Sequence, residues 1–186
     1  MGIRMEKIIF KCLRCGHCCR NLLKDIDGEL KGLNLTLEET TLFPKEFVAP
    51  SFGLGYGGKD RPKYIILYQL DANECPHLSS DNSCKIHENR PLACRTFPLI
   101  SIGPLGTAVA NATDCHFVRE SESKYGSLYD TFLTPEEFIA PEEWSALTKH
   151  NDLTRREMIK HITDAALLWS FNLKTKKWEV VAGTKR

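Results

Sequence analysis

Short runs of apolar residues recur along the chain. The clearest is 64–70, where aromatic and β-branched residues follow one another without a charge. Further runs of four or five residues lie at 7–11, 107–110 and 177–181. Runs of this length fit strands better than helices. The chain is therefore predicted to contain several short strands.

The region before the last run has a helical period instead. Its apolar residues recur three and four positions apart: Met158, Ile159, Ile162, Ala165, Ala166 and Trp169. This spacing places them on one face of a helix, which we expect to pack in the core. Thr154 and Glu157 can form a capping box at its start. The pattern predicts a helix from 154 to about 169.

A second capping box lies near the N-terminus. The Thr36 side chain can accept from the backbone N–H of Glu39, while the Glu39 carboxylate reaches back to Thr36. Pro44 follows closely and would stop a helix. A short helix over roughly 37–43 is predicted.

Other segments are punctuated by proline and glycine. Short helical turns are predicted at 88–95, 134–137 and 141–144. Residues 51–62 contain four glycines and are expected to form a loop. This loop has no Lys-Ser/Thr ending, so it is not expected to be a phosphate-binding loop.

Length and composition fit one domain, with room for an appendage. Apolar residues make up 42% of the 186, enough to bury a core without disulfide staples. The sequence has no apolar stretch of signal-peptide or membrane-span length. We expect a cytoplasmic protein that does not contact membranes.

The net charge of +1 conceals an uneven distribution. Both ends are basic, whereas residues 21–151 carry twelve basic against nineteen acidic side chains. A nucleic-acid-binding domain usually presents a broad basic surface. The charge pattern therefore argues against nucleic acid as a partner.

Cysteine is the residue type that carries chemistry in this chain. Eight are present, four of them within eight positions: Cys12, Cys15, Cys18, Cys19, Cys75, Cys84, Cys94 and Cys115. A metal centre, a disulfide cage and unliganded core thiols are the three interpretations. Overlapping Cys-x2-Cys steps in a chain expected to be cytosolic favour metal, because a tight turn aims two sulfurs at one point. Gly16 would ease that turn.

The adjacent pair Cys18 and Cys19 bears on the number of sites. Neighbouring side chains diverge in both strands and helices, so both are not expected to complete one tetrahedron. One of them would close a site with the N-terminal cysteines, and the other would reach a second site or metal atom. Two four-cysteine sets could each hold Zn²⁺ or an iron–sulfur cluster, and a polynuclear centre with bridging thiolates is a further possibility.

Charged and imidazole side chains accompany the cysteines. Cations that could offset thiolate charge are Lys11, Arg14, Arg20, Lys85, Arg90 and Arg95. Histidines that could replace a thiolate are His17, His77, His87 and His116. With eight thiolates available, we expect these histidines to support the site or to lie on the surface.

These segments resemble a known family of cysteine-cluster proteins. The matching pieces are Cys12-Leu-Arg-Cys-Gly-His-Cys-Cys19, Cys75-Pro-His-Leu78, the stretch from Cys84 to Pro98 that contains Cys94, and Cys115. Together they resemble the CxxCxxCC, or YkgJ-like, family over about residues 8–118. His87 is a departure, because relatives commonly have an aromatic residue there.

The resemblance implies binding of zinc or of an iron–sulfur cluster, and some family members are labelled iron–sulfur oxidoreductases. Flagellin lysine methylases look similar over the cysteine region. This chain has no methyltransferase glycine fingerprint, so methylation is not carried over.

The sequence as a whole predicts a small α+β protein. Residues 1–118 would form an irregular, metal-organised domain with short strands, and 119–186 a helical extension packed on it. The favoured function is to hold one or two iron–sulfur clusters in a structural or electron-transfer role, with a redox or protein partner. The alternatives are a zinc-stabilised binding or adaptor domain and a metal-dependent modifying enzyme.

Overall fold

A five-stranded antiparallel sheet forms the centre of the fold. The structure is a computed structural model that describes residues 12–97, 99–102, 106–109, 115–125, 141–142, 145–146, 148–150 and 167–183. The sheet strands are β3 (Leu33–Leu35), β4 (Val48–Leu54), β5 (Tyr64–Leu70), β8 (Leu168–Asn172) and β9 (Lys177–Ala182), in the order β3-β5-β4-β8-β9.

Two small hairpins and several short helices accompany this sheet. The hairpins pair β1 (Lys24–Ile26) with β2 (Glu29–Lys31) and β6 (Leu99–Ile102) with β7 (Gly106–Val109). The α-helices are α1 (Leu92–Thr96) and α2 (His116–Tyr125), and 3₁₀ turns cover Cys18–Arg20, Glu38–Leu42, Lys45–Phe47 and His87–Asn89. This mixture of strands and short helices confirms the predicted α+β class.

A small apolar core connects the sheet to the cysteine region. Leu35 in β3 and Leu70 in the neighbouring strand β5 are buried together with Phe43. Cys75 packs against this cluster from the segment that follows β5. The end of β5 therefore leads into the second cysteine block, which consists of Cys75, Cys84 and Cys94. The first member of this block lies at a fixed place beside the core.

All three predicted strands that lie in described residues are present. The run 64–70 is β5 over its whole length, 177–181 is β9 with one further residue, and 107–110 overlaps β7. The predicted strand at 7–11 and the helical turn at 134–137 lie outside the described residues. Of the turn at 141–144, residues 141–142 are described and are helical.

The predicted loop at 51–62 is wrong for its first four residues. Ser51 to Leu54 continue β4, and Phe52, Gly53 and Leu54 pair with both β5 and β8. The glycines indicated a loop, but Gly53 is needed in the strand because Pro62 packs closely against it. A Cβ at Gly53 would lie 2.4 Å from Cγ of Pro62. Glycine in a strand often marks such a close approach.

The predicted helix to residue 169 is also wrong at its end. Leu167 is already outside a helix and Trp169 lies in β8, while 154–166 lie outside the described residues. Trp169 pairs with Gly53 and Val180, and its indole Nε1–H donates to the carbonyl of Gly55 at 2.6 Å. Strand pairing on both sides thus overrides the helical spacing, although Trp169 is buried as predicted.

The C-terminal segment contributes strands as well as helix. β8 and β9 complete the central sheet beside β4, which belongs to the first half of the chain. The division of the chain at residue 118 stays a prediction. No helix in the parts of the chain that the structure describes is long and apolar enough to cross a membrane.

Candidate metal centre

All eight cysteines line one cavity of about 790 Å³. Cys115 is buried, the other seven are half-buried, and all eight, which fall within the described residues, are free thiols. Cys75 follows Cys19 by 56 positions in the sequence, and the fold brings the late cysteines back to the early ones. The candidate ligands named from the sequence therefore share one space.

The N-terminal loop curls tightly around its thiols. Arg14 and Gly16 have positive φ angles of 51° and 71°. The N–H of Arg20 donates to the carbonyls of His17 and Gly16, each at 3.1 Å, and the bond to His17 closes the 3₁₀ turn that carries Cys18 and Cys19. This left-handed bend is the backbone feature that turns the first cysteines toward the same cavity.

Gly16 also provides space for two other side chains. A Cβ at this position would lie 2.5 Å from Nη1 of Arg20 and 2.8 Å from Oδ1 of Asn82. Real Cβ atoms essentially never come this close to other heavy atoms, so a side chain at position 16 would push the ends of the Arg20 and Asn82 side chains away. Gly16 thus joins the first cysteine loop to the turn that precedes Cys84.

The second cysteine block is bound to the first through the backbone. The N–H of Cys75 donates to the carbonyl of Cys19 at 2.8 Å. Leu78 follows with its N–H on the carbonyl of Cys75 and forms an isolated antiparallel bridge with Cys84. These contacts hold the backbone segments of Cys19, Cys75 and Cys84 next to one another.

Cys94 enters the cavity from α1. Glu39 fixes the start of this helix, because its Oε1 accepts from the N–H of Leu92 at 2.7 Å. The other oxygen, Oε2, accepts from the N–H of Thr36 at 2.9 Å, while Thr36 Oγ1 accepts from the N–H of Glu39 at 3.2 Å. The predicted capping box is therefore confirmed, and its carboxylate has a second task that the sequence did not reveal.

Cys115 immediately precedes α2 and returns the chain to the N-terminal loop. The rings of His116 and His17 lie 5.7 Å apart between centroids, tilted by 30°. These histidines neighbour Cys115 and Cys18 in sequence. The ring contact therefore brings the last cysteine close to the first group.

The thiols of Cys18 and Cys19 interact directly. Cys18 donates a hydrogen bond to the sulfur of Cys19; this bond and burial raise the pKa of Cys18. The same bond, together with the nearby guanidinium groups of Arg90 and Arg20, lowers the pKa of Cys19 to about 7 although burial acts to raise it. Cys19 is consequently poised to be a thiolate near neutral pH, the form that binds metal.

Burial acts in the opposite direction on three other thiols. It raises the pKa of Cys75, of Cys94 and of Cys115, and nearby cysteines that would become thiolates raise each of them further. Several thiolates can therefore not coexist here without a compensating positive charge. A bound cation supplies such charge and drives deprotonation.

Two of the predicted cations face this charge. Arg20 and Arg90 both lower the pKa of Cys19, and Arg90 is oriented by its Nε–H, which donates to the carbonyl of His87 at 2.7 Å. Lys85 is exposed and Arg14 is exposed at the cavity rim, while Lys11 lies outside the described residues. Arg20, which follows Cys19, and Arg90, which precedes Cys94, thus lie close to a cysteine sulfur.

The histidines have other contacts. His77 donates from Nε2 to the carbonyl of Leu42 at 2.7 Å and packs on the ring of Phe43. His87 donates from Nδ1 to the carboxylate of Glu88 at 3.1 Å. These partners hold the rings in place, in keeping with the expected supporting role.

The thiols surround a space and do not form a finished coordination sphere. Within the described ranges, no three His, Cys, Asp or Glu side chains converge closely enough to hold a single ion. The chemistry of the donor set nevertheless fits a thiolate-bound metal centre: eight sulfurs around one cavity and two guanidinium groups beside them.

The same cavity has a polar corner formed by Lys31, Glu29 and Ser170. Lys31 Nζ donates to the hydroxyl of Ser170 and to the carbonyl of Phe171 (2.9 Å), and forms an ion pair with Glu29 at 2.8 Å. The Ser170 hydroxyl donates to Glu29 at 2.6 Å. This corner joins β2 to β8, and sequence spacing gave no sign of it because its members are about 140 positions apart.

Asn82 was also missed. Its backbone has a φ of 66°, and it lies in the turn where the N–H of Ser79 donates to the carbonyl of Ser83. The run Ser-Ser-Asp-Asn-Ser before Cys84 is a turn signal that could have placed it.

Comparison with known proteins gives one family and no close relative. No curated protein and no solved structure matches this chain. The family model CxxCxxCC, described as "Putative zinc- or iron-chelating domain", matches residues 11–125, which contain all eight cysteines and well over half of the chain. The chain therefore belongs to the CxxCxxCC family.

Proposed function

We propose that this protein holds one or two iron–sulfur clusters through its eight cysteines, in a structural or electron-transfer role. The observation that carries the proposal is the shared cavity, which all eight half-buried or buried thiols line. Cysteine thiolates are the usual ligands of such clusters. Membership of a zinc- or iron-chelating family supports metal binding as such.

The surroundings of the sulfurs favour a cluster with net negative charge. Four thiolates around an oxidised four-iron cluster leave a formal charge of about −2. Arg20 and Arg90 lie close enough to Cys19 to stabilise its thiolate, so they can offset part of that charge. These residues would hold and orient the centre, and the cluster itself would supply the redox chemistry.

Electron transfer requires an approach for a partner. Leu13 is 45% exposed between Cys12 and Arg14, which is also exposed, so the N-terminal loop reaches the surface beside the sulfurs. A redox protein is the partner class that this arrangement suits. We place the protein in the cytoplasm, where a reducing environment keeps free thiols available for metal.

Anaerobic purification tests the iron–sulfur proposal. The protein should be brown, should absorb broadly near 400 nm, and should lose this absorption on addition of dithionite or an iron chelator. A colourless protein without acid-labile sulfide would overturn it. About two zinc per chain in that protein would establish the alternative, a zinc-stabilised binding or adaptor domain.

A specific feature also favours a metal-dependent modifying enzyme as a second candidate. The cavity that contains the thiols extends to the polar corner of Lys31, Glu29 and Ser170. Mostly apolar cavities with a few converging polar groups are typical of small-molecule sites. Thermal-shift screening with S-adenosylmethionine and nucleotides tests this candidate, and no shift with either class would count against it.

A further inference from the structure

We propose that the eight cysteines bind metal as two separate four-sulfur sets joined by one peptide bond. Set A is Cys12, Cys15, Cys18 and Cys115; set B is Cys19, Cys75, Cys84 and Cys94. The inference rests on the proposed metal binding, and it adds a division of ligands that family membership does not give.

Backbone contacts assemble most of set B. The N–H of Cys75 donates to the carbonyl of Cys19 at 2.8 Å, and Leu78, whose N–H donates to Cys75, forms a bridge with Cys84. The start of α1, fixed by Glu39, then brings in Cys94. Three separate segments are therefore held at one corner by hydrogen bonds that do not depend on a metal.

Electrostatic contacts between the thiols agree with this grouping. Besides burial, the cysteines that raise the pKa of Cys94 are Cys19, Cys75 and Cys84. Cys19 and Cys84 also raise the pKa of Cys75. Cys94 is thus close to the other three members of set B, and Cys75 is close to Cys19 and Cys84.

Set A has contacts of its own. Besides burial, the cysteines that raise the pKa of Cys115 are Cys15 and Cys12. The contact between the rings of His17 and His116 holds the two segments together. Cys115 is therefore paired with the N-terminal loop and not with the second cysteine block.

Cys18 is assigned by geometry and by count. It lies near Cys12 and Cys94 and donates to Cys19, so it stands between the two groups. Cys19 accepts the backbone hydrogen bond from Cys75 at 2.8 Å, which ties it to set B. Set B already has four members, and Cys18 completes set A.

Matched single substitutions test the division. Cys15→Ser removes one member of set A and Cys84→Ser one member of set B, both at half-buried positions. Each variant, purified anaerobically, should retain about half of the metal of the wild type, and the double variant about none. Loss of all metal in both single variants would overturn the division in favour of one polynuclear centre.

A measurement on the unaltered chain covers the case in which a variant does not fold. Reduced, metal-free protein is titrated with ¹¹³Cd²⁺ and followed by ¹¹³Cd NMR. Two resonances typical of four thiolates, without coupling between them, are expected. Metal–metal coupling through a shared thiolate would contradict separate sets, whereas a wild type that binds no metal would reject the proposed function itself.

Discussion

The carboxylate of Glu39 accepts a hydrogen bond from the N–H of Leu92 at 2.7 Å, 53 positions further along the chain. Leu92 is the first residue of the helix that carries Cys94. The same carboxylate closes the capping box with Thr36. The Glu39 side chain therefore fixes two features: the capped turn that begins at Thr36, and the position of Cys94, which is a candidate metal ligand.

Glu39→Ala removes both hydrogen bonds and leaves two N–H groups without a partner. We expect the free energy of unfolding to fall by about 2 kcal/mol, the range for a lost charged cap. Urea denaturation with both proteins in the same metal state measures it. Glu38→Ala is the control, because Glu38 is exposed in the same turn, and equal losses in the two variants would contradict this role.

Gly16→Ala should reduce metal binding although it removes no sulfur. A Cβ there would displace the side chains of Arg20, which lies beside Cys19, and of Asn82, and the φ of 71° disfavours any side chain. Gly28→Ala is a matched control, since Gly28 has a φ of 86° but nothing within 4 Å of the added Cβ. Both variants should lose about 1 kcal/mol of stability from the backbone alone. Elemental analysis should show reduced metal per chain in Gly16→Ala only, and normal metal content there would refute the packing argument.

Arg90→Gln should make Cys19 less reactive in the reduced, metal-free protein. The hydrogen bond from Cys18 is the main cause that lowers the pKa of Cys19 to about 7, and the charges of Arg90 and Arg20 add to it. Without Arg90 the pKa rises, so less thiolate is present at pH 7 and alkylation slows. Iodoacetamide labelling of Cys19 between pH 6 and 9, followed by mass spectrometry, gives the midpoint. In the exposed control Lys85→Gln the midpoint should not move; a shift of equal size would show a general charge effect.

Trp169→Phe should destabilise the sheet. Trp169 is fully buried and its indole donates to the carbonyl of Gly55, which the variant leaves without that partner. A loss of about 2 kcal/mol is expected in thermal or urea unfolding. Trp178→Phe, at a half-buried position on β9, should cost less, and the reverse order would contradict the assigned core.

Local signals in the sequence predicted those parts of the fold that depend on neighbouring residues. The strand at 64–70 and the Thr36–Glu39 capping box follow from residue types a few positions apart, and both are confirmed. Trp169 and Gly53 were assigned wrongly because they pair with each other across more than a hundred positions. Periodicity does not contain that information.

The same distinction applies to the candidate site. Residue type and spacing named all eight cysteines and the arginines beside them. Sequence could not show that Glu39 caps the helix of Cys94, nor that Asn82 and Arg20 close over Gly16. It also left open which cysteines lie together, because the contact of Cys115 with the N-terminal loop depends on the whole intervening fold.

Metal and sulfide content per chain in anaerobically purified wild type tests the central claim most directly. Two four-sulfur sets that hold four-iron clusters predict about eight iron and about eight acid-labile sulfide per chain. Loss of both with Cys15→Ser and Cys84→Ser combined should follow. Protein that is folded, reduced and free of iron, sulfide and zinc would contradict the assignment of the eight cysteines as a metal centre.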